Sequence, residues 1–243
     1  MRSTGTLACV ASAAGFGAMA VFGKLAYDNG ATVGTLLAVR FALAAALFWL
    51  LVLAGAAVRR PRAATDGPRL SRRDLLIALA LGVCGYAAQA GFFFSALERV
   101  DASLLSLLLY TFPSMVAVAA IALGREHADA RRLVALVIAS AGLVLVLATA
   151  KAGALDPIGA ALGLAAAVVY TTYILVSQGV AGRIRPTLLS ALVCTGAAVS
   201  LTAGSAALGE LRPGDVTAEG WLWLAGIAVV STVAAVSLFF AGL

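Results

Sequence analysis

Gly91-Phe92-Phe93-Phe94-Ser95-Ala96-Leu97 closes one long apolar run, and Ser237-Leu238-Phe239-Phe240-Ala241-Gly242-Leu243 closes another. Self-similarity at a long interval fixes an architecture before any short motif does. The echo predicts a chain built as two copies of one helical unit. After Leu97 the chain runs on into further apolar sequence, whereas the second copy ends the chain, so the second unit reads as incomplete.

The runs that these stretches close are about twenty residues long, the length a helix needs to cross a bilayer. Charged residues make up 12% of the chain, against roughly a quarter in soluble domains, and Leu133 to Ala150 contains none. The runs are continuously apolar, without the alternation of barrel strands, which selects helices as the spanning element. The expected fold class is therefore an all-α polytopic membrane protein. Eight spans are expected, at Thr6 to Ala26, Thr32 to Ala57, Leu75 to Leu97, Ala102 to Leu123, Leu133 to Ala150, Pro157 to Ser177, Thr187 to Leu208 and Gly220 to Ala241.

A formal net charge of +6 raises the question of nucleic acid, but the arginines sit in short segments between apolar runs, and no basic and aromatic recognition face accompanies them. No nucleic-acid partner is expected; the partners are the lipid bilayer and a small-molecule substrate. With a cytoplasmic N-terminus, the inner loops hold Arg2, the cluster from Arg59 to Arg73, Arg125, Arg131, Arg132, Arg183 and Arg185, while the outer ones hold Lys24, Arg99, Lys151 and Arg212. The bias of lysine and arginine toward the cytoplasm sets that orientation, and its loop-by-loop alternation checks the helix count. Met1-Arg2 and the apolar run after it read as a first span of a multi-pass cell-membrane protein, not as a cleaved signal.

The repeat has a period of five helices. Thr35-Leu36-Leu37 of the second span recurs as Thr187-Leu188-Leu189 of the seventh, and the Phe-rich end of the third recurs in the eighth. An odd period makes the second copy enter the membrane from the opposite side, which gives two inverted five-helix repeats, residues 1–150 and an incomplete 157–243. Inverted repeats in transporters place the substrate near the midplane, at the interface of the copies.

Leu109-Tyr110-Thr111-Phe112-Pro113, Leu123-Gly124-Arg125-Glu126, Ala141-Gly142 and Arg40-Phe41 resemble the EamA-type family of the drug/metabolite transporter superfamily. The resemblance implies a ten-helix plan of two inverted repeats with both termini cytoplasmic, and export of small metabolites or amino acids. This chain departs from that plan by ending after the eighth helix, so counterparts of the fourth and fifth spans are expected to be missing. The competing reading is a truncated or non-transporting bundle that requires a partner, with homodimerisation closing the absent wall.

Polar side chains within spans are the informative ones, because most apolar surface faces lipid. Arg40 lies about 10 to 12 Å along the second helix by the helical rise, where insertion scales put an arginine at roughly 2.5 to 3.5 kcal/mol. It either faces a cavity and attracts carboxylate-bearing solutes or satisfies groups on neighbouring helices. Tyr86 and Gln89 share a face of the third span, Tyr110 lies on the fourth, and Tyr170 and Tyr173 on the sixth. These are the residues expected to bind substrate, rings taking its apolar parts and hydroxyl and amide groups its polar parts. Pro113 deprives the carbonyl of Leu109 of a donor and is the expected hinge. Gly159 and Gly163 allow close helix packing.

No enzyme is expected. Gly17 to Lys24 lacks the spacing and the hydroxyl residue of a phosphate loop, and no constellation for nucleophilic catalysis occurs. Cys9, Cys84 and Cys194 lie in separate runs and His127, the only histidine, in a charged loop, so neither metal nor cofactor is expected. The first span carries no carboxylate between Thr6 and Ala26, which disfavours proton coupling of the small four-helix kind.

Overall fold

A computed structural model describes residues 2–58, 71–125 and 156–242, with isolated positions between 129 and 145. Seven helices among these residues are long and apolar enough to cross a membrane. The fifth expected span, Leu133 to Ala150, lies largely outside the described residues, as do Glu126, His127 and the loop arginines from Arg59 to Arg69. The remaining seven spans appear where hydropathy places them, because hydrocarbon leaves no alternative way to satisfy the backbone of a twenty-residue apolar run.

Local chemistry fixes the ends. The third span starts at a reciprocal cap, where Ser71 Oγ accepts from the Arg73 amide at 3.2 Å and Asp74 Oδ2 accepts from the Ser71 amide at 3.3 Å. Thr217 caps the eighth span by accepting from the Gly220 amide at 3.1 Å, and proline opens the sixth and seventh at Pro157 and Pro186. The first span ends on Gly30 at φ 87°, a left-handed turn that glycine enters without strain.

Contacts divide the chain into two compact units. One comprises residues 1–87 and 177–243, the other residues 88–176, so each draws on both halves of the sequence.

In the first unit the second and seventh spans, Val33–Val58 and Pro186–Ala207, form the principal helix pair. Phe41, Ala44 and Phe48 on one helix, and Ala191, Cys194 and Ala197 on the other, are fully or almost fully buried. Small residues facing large ones give close van der Waals packing, which drives helix association where lipid removes the hydrophobic term. The pair runs antiparallel. Near one end Thr32 Oγ1 donates to the Glu210 carbonyl at 2.5 Å and the Arg212 amide donates to Thr35 Oγ1 at 2.8 Å; further along, Trp49 Nε1 donates to Thr195 Oγ1 at 3.0 Å.

Each member of the pair packs in turn on a further helix: the second on the eighth, the seventh on the third. The third and eighth spans share an interruption. A π-helical turn, Leu81–Tyr86, separates Arg72–Ala80 from Ala87–Leu97, and another, Val229–Ala234, separates Ala218–Ala228 from Ala235–Gly242. Where the third span meets the seventh, Gly82 presses on the Val193 carbonyl, and a Cβ at Gly196 would stand 2.5 Å from the Leu79 oxygen. The first span, Arg2–Asp28, lies along the eighth, with Ser12 Oγ donating to the Ala235 carbonyl at 2.7 Å just beyond its π turn.

In the second unit the fourth and sixth spans pack together, and Gly159 and Gly163 supply the close approach. A Cβ on Gly159 would stand 2.7 Å from Val100 Cγ1, and one on Gly163 would stand 3.0 Å from Leu108 Cδ1. Further along the same pair, Arg125 donates to the Leu175 carbonyl at 2.8 Å. The two helices therefore run parallel.

Candidate functional site

Arg40 is 2% exposed in the first unit. Its Nε donates to Thr232 Oγ1 at 3.0 Å, and that hydroxyl donates onward to the Ile227 carbonyl at 3.0 Å, five residues back along the eighth span. Its guanidinium lies 4.8 Å from the centroid of the Phe41 ring and within side-chain hydrogen-bonding reach of Tyr86. Tyr86 meets Phe41 edge-on, with centroids 5.3 Å apart. A charge in the membrane interior is tolerated when neighbouring dipoles and π faces replace its hydration. Arg40 is held in this way by neutral groups on the second, third and eighth spans.

The second unit carries a different arrangement. The fourth span is broken at Tyr110 and Thr111, between Ala102–Leu109 and Phe112–Ala122. Pro113 sits in the first turn of the second segment, and having no N–H it offers the Leu109 carbonyl nothing. Thr111 Oγ1 donates to the Leu108 carbonyl at 2.7 Å and satisfies part of the break. Beside it stands a row of rings. Phe112 meets Tyr170 edge-on at 4.7 Å, and Tyr170 stacks on Tyr173 at 6.1 Å with an interplanar angle of 11°. Tyr110 is 60% exposed, while Gln89, Tyr170 and Tyr173 are half-buried. Irregular backbone at membrane depth persists only where protein covers it or where it lines a water-filled cavity.

Among the described residues no group of three His, Cys, Asp or Glu side chains is placed to hold a metal ion.

The sequence pattern of the EamA-like transporter family matches residues 3–148. The chain belongs to that family. A solved crystal structure, described only as that of a protein, is similar in fold, with a TM-score of 0.69 and 19% identity over 100% of this chain and 79% of that one. No curated protein matches it.

Within this EamA-like chain, the first unit brings together two of the expected binding residues, Arg40 and Tyr86, and the second unit brings together Tyr170, Tyr173 and the segment opened by Pro113. Two participants went unread in the sequence. Phe112 is the ring that extends the tyrosine row to the break. Thr232 is the first acceptor for Arg40, and a signal for it exists: in the register that sets Phe93 against Phe239, Tyr86 falls opposite Thr232. Arg40 therefore touches positions of the third and eighth spans that fall opposite one another in that register.

Proposed function

We propose that this EamA-like membrane protein is a permease that exports small metabolites or amino-acid-like solutes by alternating access between its inverted repeats, with its N-terminus in the cytoplasm. Membership of the family supports a transporter of the drug/metabolite type. The observation that carries the finer reading is the broken fourth span beside the Phe112, Tyr170 and Tyr173 rings. A break near mid-membrane presents backbone dipoles to a polar solute, while ring faces take up its apolar part. In this reading Tyr110, Gln89, Tyr170 and Tyr173 contact solute and Pro113 is the hinge.

The test is flux into proteoliposomes across the twenty radiolabelled amino acids. Saturable uptake of at least one supports the proposal; flux equal to that of protein-free vesicles for all of them, from correctly folded protein, overturns the amino-acid reading. For a transported solute, Tyr170→Ala is expected to raise KM roughly tenfold, since it removes the central ring of the row and one stacked contact is worth about 0.5 to 1.5 kcal/mol. Tyr170→Phe keeps the ring and is expected to stay within about threefold of the native value on the same scale.

A further inference from the structure

The π turns of the third and eighth spans occupy nearly equivalent places in the two repeats, and Arg40 reaches both. Leu81–Tyr86 ends on Tyr86, and Val229–Ala234 contains Thr232. A π turn is an α-helix carrying one inserted residue, and such insertions recur at functional sites. Gaining or losing such an insertion rotates the helix beyond it by about 100°, and sliding it along the helix re-aims the residues that it passes. Left alone, the two turns would shift separately. They are not left alone: Arg40 Nε holds Thr232 Oγ1 at 3.0 Å, Thr232 Oγ1 holds the Ile227 carbonyl in π register at 3.0 Å, and Tyr86 lies against both the guanidinium and the Phe41 ring beneath it.

We propose that Arg40 is a positioning residue that locks the π turns of the third and eighth spans to one another, so that the two interruptions, one from each repeat, change register together. The guanidinium suits this role because its planar fork presents several donors in fixed directions, so a shift at either turn disturbs the hydrogen bond to the other. The consequence for transport rests on the reading above: a coupled change in both third helices moves the two repeats in concert. The coupling itself does not depend on solute.

The test is amide hydrogen exchange in the full-length protein in nanodiscs, followed by mass spectrometry and without solute. Thr232→Val, which keeps the side-chain shape, is expected to speed exchange roughly tenfold at 229–234 and also at 81–86, the scale set by loss of one hydrogen bond to a charged group. Tyr86→Phe retains the ring on Phe41 and gives the reciprocal test, with faster exchange at 229–234 as well as at 81–86. Thr232→Ser is expected to restore the native pattern in both. Acceleration confined to the substituted turn, or none in either, overturns the proposal. Since no flux is measured, that outcome leaves the permease reading standing, and absent flux with coupled exchange would overturn the permease reading alone.

Discussion

Arg40→Met is expected to leave the protein folded and to reduce solute flux by at least about tenfold, the kinetic equivalent of roughly 1.4 kcal/mol. The direction on folding follows from what surrounds the residue. Removing one member of a buried ion pair strands a charge and costs about 3 to 5 kcal/mol, but the partners seen around Arg40 are the Thr232 hydroxyl, the Tyr86 side chain and the Phe41 ring. None carries a charge to strand. Thr232 keeps its bond to the Ile227 carbonyl, and methionine fills a similar volume while sparing the insertion cost of a central arginine, roughly 2.5 to 3.5 kcal/mol. The melting temperature in detergent should therefore hold steady or rise while flux falls. Arg40→Lys keeps the charge without the planar fork and is expected to fall between the two. A variant that unfolds and loses flux in proportion would assign Arg40 to stability alone.

Gly82→Val is expected to prevent assembly of the folded protein. Any Cβ on Gly82 falls on the backbone of Val193, against its carbonyl carbon at 2.9 Å and its Cα at 3.0 Å. A flexible side chain could swing away, but these atoms belong to the interior of the seventh span and shift only with the whole helix. Overpacking by methylenes alone costs about 1 to 3 kcal/mol, and separating two packed helices adds to it. Gly82→Ala should already lower the melting temperature markedly, whereas Gly17→Ala, with nothing within 4 Å of its Cβ, should be neutral or slightly stabilising because alanine favours the helix. Yield of monodisperse protein by fluorescence-detected size exclusion distinguishes them. Equal yields for the Gly82 and Gly17 variants would contradict the packing described.

The seven described spans were legible because lipid imposes a single rule on them, and the break in the fourth was legible because proline announces it. The π turns were not. Leu81-Gly82-Val83-Cys84-Gly85-Tyr86 and Val229-Val230-Ser231-Thr232-Val233-Ala234 are ordinary apolar sequence, and an inserted residue leaves no mark on hydropathy. Arg40 stood out as a charge in need of company, yet the company came from residues far along the chain. Thr232 is 192 positions away, and only the tertiary pairing of the second span with the eighth selects it. The Gly159 and Gly163 spacing announced a close approach, whereas Gly82 and Gly196 share no such spacing, since each meets the other's helix at a single crossing.

The most direct test of alternating access is exchange. Proteoliposomes are preloaded with an unlabelled amino acid that the flux screen shows to be transported, and entry of its radiolabelled form is followed. A carrier that exposes one site to each side in turn predicts faster entry of label into preloaded vesicles than into empty ones, saturating with concentration. Entry that is linear in concentration and indifferent to preloading would describe a pore, and would contradict the account.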